Sequence, residues 1–128
     1  MTGTPQDRIA ALTASMLKKK LYVVISTPVE GGAEKLVPHL PAHLEYMIAN
    51  EKKGLLFASG PLSEADGSQK GRGLTVLRAA SAEEARKIAE LDPFFVNGLR
   101  TFEIREWTVM EGSFGVTVNF SDQSMTVA

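Results

Sequence analysis

Apolar residues along the chain fall into helical and alternating patterns by turns. Ile9, Leu12 and Met16 recur three and four residues apart, the stripe of a half-buried helix. They predict a helix over 7–20, closed by Lys18, Lys19 and Lys20, a favourable cationic end. Leu21 to Thr27 is rich in β-branched and aromatic residues and predicts a strand that ends at Pro28. Val37, Leu40, Leu44, Met47 and Ile48 then share one stripe at helical spacing. His39, His43, Tyr46 and Asn50 lie on a second stripe about 90° round the same helix. Pro41 lacks an amide donor and disfavours helical geometry at Leu40, so the regular helix is expected to begin at Pro41. Gly54 is its natural stop.

Leu55 to Ser59 is a continuous apolar run, expected of a central strand covered on both faces and ended by Gly60-Pro61. Residues 63–71 are polar and glycine-bearing, the composition of a mobile loop placed to act as a lid. Arg72 to Ala79 predicts a further strand. Ser81-Ala-Glu-Glu84 is a capping box for a helix whose face is Ala82, Ala85, Ile88 and Ala89. That helix stops before Asp92-Pro93. Phe94 to Val96 fits one short turn, and Leu99 to Val109 a long strand centred on Phe102 and Ile104, with Thr101, Glu103, Arg105 and Trp107 on alternating sites. Phe114, Val116, Val118 and Phe120 alternate with small or polar residues, a half-buried strand, and Met125 to Val127 can return as its partner.

Without the first helix and the last hairpin, the order is strand, helix, strand, strand, helix, strand. This βαββαβ order is the ferredoxin-like split motif, an α+β fold with two helices on one face of a four-stranded antiparallel sheet. The other face carries polar and aromatic groups, Trp107 among them, and needs a cover. A second copy of the sheet supplies one, so a homodimer or higher homo-oligomer is expected. The expected organisation is a single domain with its core over 21–109, an extra N-terminal helix over 7–20 and a C-terminal hairpin over 112–127.

Composition narrows the function. A chain of 128 residues can bury a core without metal or disulfide staples. It has no cysteine, which excludes disulfides, thiolate nucleophiles and cysteine-ligated metal centres. A net charge of −1 lacks the basic excess of a nucleic-acid module. No apolar run approaches the ~20 residues that span a bilayer, and the first residues do not have the form of a secretory signal. A cytoplasmic protein with no nucleic-acid or membrane partner is the expectation.

The chemistry available centres on histidine. An imidazole can gain or lose a proton near neutral pH, and the chain has only two, His39 and His43. His43, beside the apolar stripe, suits either a general base or a partly buried, hydrogen-bonded structural residue. His39 and His43 have the i, i+4 spacing of two metal ligands, but Pro41 interrupts it and no His-Glu-x-x-His pattern is present, so no metal is expected. Gly71-Arg72-Gly73 opens no helix, which argues against a phosphate loop. The Gly-x-Ser-x-Gly elbow is absent.

The chain resembles the YciI-like, or YCII-related, proteins, which share the dimeric α+β barrel fold. The residues that carry the resemblance are Pro41-Ala42-His43-Leu44, Gly54-Leu55-Leu56, Ala58-Ser59-Gly60-Pro61, Ser81-Ala-Glu-Glu-Ala85, Asp92-Pro93-Phe94 and Glu106-Trp107. It spans roughly residues 21–107. The family's proposed site pairs a histidine with an aspartate, which carries over to His43 and to Asp92. Some members have an acid near the glycine stop, where this chain has Lys52. Asp92 before Pro93 is equally suited to capping a helix. The resemblance implies a cofactor-independent lyase or isomerase acting on a small cyclic or chlorinated, hydroxylated aromatic metabolite, with His43 moving the proton and Asp92 orienting it. Arg72 is then a candidate to hold an anionic oxygen, with Tyr46, Ser59 and Phe94 as further substrate-binding positions. The alternative is a non-catalytic small-molecule-binding or accessory protein of the same family.

Overall fold

A computed structural model describes residues 3–128. In chain order its elements are α1 (Pro5–Thr13), β1 (Lys19–Pro28), α2 (Leu40–Lys52), β2 (Leu56–Ser63), β3 (Gln69–Leu77), α3 (Ala82–Glu90), α4 (Pro93–Val96), β4 (Arg100–Val109), β5 (Val116–Asn119) and β6 (Ser124–Val127). Two single 3-10 turns, Ala33–Lys35 and Val37–His39, lead into α2. The chain divides into two compact units: Lys20–Thr108, and the terminal segments flanking it.

In the Lys20–Thr108 unit the strands lie in the order β2-β3-β1-β4. The chain passes from β1 through α2 to β2, which lies one strand away, with β3 between them antiparallel to both. It passes from β3 to β4 with β1 between. This is the split βαβ arrangement read from the element order. Tyr22↔Leu77, Val24↔Thr75 and Ser26↔Gly73 are paired across β1 and β3 on the helix-covered face. The core there comprises Tyr22, Val24, Met47, Leu56, Leu77 and Ala85, with Tyr46, Ile88, Ala89, Phe102 and Ile104 packed against it. Small residues on α3 let that helix lie close to the sheet, and Ala85 is fully buried. Ser81 caps α3 by accepting from Glu84 N–H at 3.1 Å, while Glu84 accepts from Ala80 N–H at 3.2 Å, one residue short of a standard capping box. The opposite sheet face pairs Val23 with Val76 and Ile25 with Leu74, and strand alternation adds Glu103, Arg105 and Trp107 from β4. Trp107 is 42% exposed.

Several boundaries differ from the sequence reading, each for a physical reason. The first helix ends at Thr13, not at Lys20. Lys18 takes a left-handed φ of 53°, and Lys19 and Lys20 join β1. Lys20 there lies 3.7 Å from Glu106. The run at 55–59 is an edge strand with mostly exposed residues, and it continues through Gly60 and Pro61 to Ser63. An edge position tolerates a proline because its missing N–H faces no neighbour. Since β2 and β3 both extend, the expected lid at 63–71 shrinks to a tight hairpin turn closed by Glu64 N–H donating to Ser68 O at 2.7 Å. The largest difference is in α2. Its buried residues are Met47 and Asn50, with His43 and Tyr46 half-buried, whereas Leu40, Leu44 and Ile48 are 39–49% exposed. On the hydrogen-bonding stripe His43 pairs with Asp92 at the start of α4 and Tyr46 donates to Ile88 O on α3, whereas the Asn50 amide nitrogen is buried without a partner among the described residues.

In the terminal unit, Thr4 caps α1 by accepting from Asp7 N–H at 3.1 Å, with Pro5 in the first turn. β5 and β6 form an antiparallel hairpin from Val116↔Val127 to Asn119↔Ser124. Val116, Val118 and Phe120 are exposed, not half-buried as their alternation suggests. Among the described residues, no helix is long and apolar enough to cross a membrane.

Candidate active site

Three elements deliver the polar groups of one site. His43 lies on the first full turn of α2, and Asp92 is the residue that caps α4. His43 Nδ1 is 2.8 Å from Asp92 Oδ1, and the two side chains are only 15% and 18% exposed. The same carboxylate oxygen accepts from Phe94 N–H at 3.0 Å. Pro93 at the first helical position fixes this cap, so the proline that stops α3 also sets the carboxylate beside the imidazole. In the neutral ring with Nδ1–H donating to the carboxylate, Nε2 keeps its lone pair. The imidazole stacks on the buried Phe94 ring, centroids 4.3 Å apart and planes 15° from parallel.

The third group is Arg100, at the start of β4. Its guanidinium carbon sits 4.6 Å from the centroid of the same Phe94 ring. Its Nε donates to Gly71 O at 2.9 Å. Burial pushes the Arg100 guanidinium below its usual pKa, while the negative charge of Asp92 pulls the other way. His43, Arg100 and Phe94 line a cleft of about 370 Å³ together with Leu40 and Met47 of α2, Ser59 and Pro61 of β2, and Gly73 and Thr75 of β3. That volume lies within the range of small-molecule sites.

Of the residues singled out from sequence, the structure brings His43, Asp92, Phe94 and Ser59 to this site. It places Tyr46 and Arg72 elsewhere. Tyr46 points between α2 and α3, where its hydroxyl donates to Ile88 O at 2.6 Å, and burial pushes its phenol pKa up. It lines a small adjoining space of about 20 Å³ that shares Met47, Thr75 and Arg100 with the cleft and also touches Asp92. Arg72 lies opposite Leu62 on the β2–β3 ladder, next to Gly73 but not itself among the residues lining the cleft. The cation in the cleft is Arg100, which the sequence reading passed over. A signal was available: Arg100 shares the even-numbered face of β4 with Phe102 and Ile104, the face that turns to the core. His39 sits at the N-cap of α2 and does not line the cleft. Among the described residues, no three His, Asp or Glu side chains gather as a metal site would require.

A family model described as the YCII-related domain matches residues 20–108, the same stretch as the sheet-and-helix unit. The chain belongs to the YCII-related family. An uncharacterised relative in this comparison, YjpA of Bacillus subtilis (strain 168), is 33% identical over 69 residues, which cover 54% of this chain and 75% of YjpA. Among solved structures, the 5-chloro-2-hydroxyhydroquinone dehydrochlorinase TftG of Burkholderia phenoliruptrix AC1100, in complex with 2,5-dihydroxybenzoquinone, superposes with a TM-score of 0.58. Identity is 21%, covering 69% of this chain and 93% of the dehydrochlorinase. At that identity the likeness is one of fold. In this YCII-related chain α1 and the β5–β6 hairpin lie outside the matched stretch.

Proposed function

We propose that this protein is a cofactor-independent lyase or isomerase that moves a proton on a small cyclic or hydroxylated aromatic compound. The observation that carries the reading is the His43–Asp92 pair, 2.8 Å apart at the wall of a cleft that can hold one ring. His43 Nε2 takes a proton from an acidic C–H or O–H of the substrate, and charge collects on a ring oxygen. Asp92 holds the imidazole by Nδ1 and stabilises the imidazolium that forms. The proton then returns at another atom, which is isomerisation, or a leaving group such as chloride departs with its electron pair, which is elimination. Phe94 stacks on the imidazole, and Ser59 offers a hydroxyl in the same cleft. The dehydrochlorinase with the same fold makes a chlorinated hydroquinone the first substrate to try. We place the reaction in the cytoplasm and in a homodimer closed over the Val23–Ile25–Leu74 sheet face.

The test is deuterium incorporation into the ring of 1,2,4-trihydroxybenzene incubated anaerobically with the protein in D2O. Enzyme-dependent exchange is expected, falling by at least about 10²-fold in His43→Asn, with the melting temperature nearly unchanged. Exchange that persists in His43→Asn rejects the role of this residue. Binding of the ring without any exchange supports a non-catalytic carrier instead.

A further inference from the structure

Arg100 is placed as few interior arginines are. Its Nε is tied to Gly71 O at 2.9 Å and its carbon rests on the Phe94 ring. Its two terminal nitrogens cross the bare Cα of Gly73, where a Cβ would come within 3.2 Å of one and 3.5 Å of the other. Three contacts therefore fix the plane of the guanidinium, yet none uses the terminal N–H groups. Among the described residues no carboxylate lies within ion-pair distance of it. Asp92 acts on it through space, and a half-buried cation with no direct partner gains from a ligand that completes it. The guanidinium lines the cleft, and it rests on the same ring as His43. The proton-transfer group and the cation thus both pack on Phe94 and both line the one cleft.

We propose that Arg100 is an anion subsite, and that the ligand sets an anionic oxygen, a carboxylate or an enolate, on this guanidinium while another of its atoms faces His43 in the same cleft. The second clause rests on the proton-transfer reading above; the subsite itself does not. A planar fork with two free terminal nitrogens suits two oxygens of one carboxylate, or two neighbouring ring oxygens. The Gly71-Arg72-Gly73 segment acquires a role through its glycines: Gly71 supplies the carbonyl that anchors Arg100, and Gly73 the gap that admits it. Arg100 is then the residue that selects charged ligands over neutral ones of the same shape.

The experiment compares benzoate with benzamide, isosteric apart from charge, by NMR titration of the intact protein. Wild type is expected to bind benzoate at least about tenfold more tightly, as a charge-assisted pair allows, with the margin shrinking as sodium chloride is raised. Arg100→Met abolishes the margin. Gly73→Ala, which keeps the charge but displaces the guanidinium, reduces it, and this variant guards against misfolding of Arg100→Met. His43→Asn preserves the margin even where it ends proton exchange, so failure of the subsite and failure of the proton-transfer reading are separable. Equal affinity for the two probes, binding of neither, or a margin that survives Arg100→Met overturns the proposal.

Discussion

Asp92 Oδ1 serves two donors at once, the Phe94 amide at 3.0 Å and the His43 ring at 2.8 Å. The cap geometry and the imidazole orientation are therefore one constraint. Two substitutions separate them. Asp92→Asn retains a capping oxygen but loses the charge that holds the ring and stabilises its protonated form. Proton exchange should fall on the order of 10²-fold, with little loss of stability because asparagine caps as well as aspartate. Asp92→Ala removes the cap as well and should cost a further ~1 kcal/mol in chemical denaturation. If Asp92→Asn exchanges at the wild-type rate, the carboxylate is a cap alone. The pairing of His43 with Asp92 came from short motifs, since the two are 49 positions apart and no periodicity links them. Arg100 was missed because its neighbours in sequence, Gly98 and Leu99, suggest only a turn running into a strand.

At the scale of elements, hydrophobic period located the helices and strands but did not orient α2. Two stripes ran along that helix, and the greasier one was the natural choice to face the sheet. The helix turns instead on its hydrogen-bonding stripe, with Asn50 4% exposed and Leu44 48% exposed. Strand ends were misread where edge pairing carried β2 through Pro61, an effect invisible to any local pattern. Two glycines make the element-level test. Gly54 ends α2 at φ +77° with open space around its Cα, so Gly54→Ala should cost only the left-handed strain, ~1 kcal/mol. Gly71 combines φ +85° with a Cβ position 2.8 Å from Leu36 and 2.9 Å from Pro28. Gly71→Ala should cost clearly more, and should also disturb Arg100 through the Gly71 carbonyl. Equal losses in urea denaturation would show that the close approach to Leu36 and Pro28 is slack.

At the scale of the whole molecule, the sheet face away from the helices carries Val23, Ile25 and Leu74, with Trp107 at its margin, and α2 presents Ile48 outward beyond the cleft-lining Leu40 and Leu44. Apolar surface of this kind marks an interaction site. A closed dimer over the sheet is the simplest cover, because a two-fold contact lets each copy bury the same patch. Val23→Glu puts a charge at the middle of that face. Sedimentation should show a dimer for wild type and a monomer for the variant, with His43 still beside Asp92. A wild-type monomer at micromolar concentration would contradict the expected assembly. The element order alone carried the α+β arrangement, whereas the cleft could not be anticipated, because its walls come from α2, β2, β3, α4 and β4 at once.

In the proposed mechanism Asp92 holds one nitrogen of His43 and leaves the other free to accept a proton from a ligand in the cleft. Nitrogen NMR of the uniformly labelled protein reads this directly, since the chain has two histidines and a His39→Gln variant assigns His43. Neutral His43 should be the Nδ1–H tautomer, its Nδ1 signal should move in Asp92→Asn, and 2,5-dihydroxybenzoquinone should perturb Nε2. An Nε2–H tautomer, or an Nε2 signal indifferent to the ligand, would contradict the account.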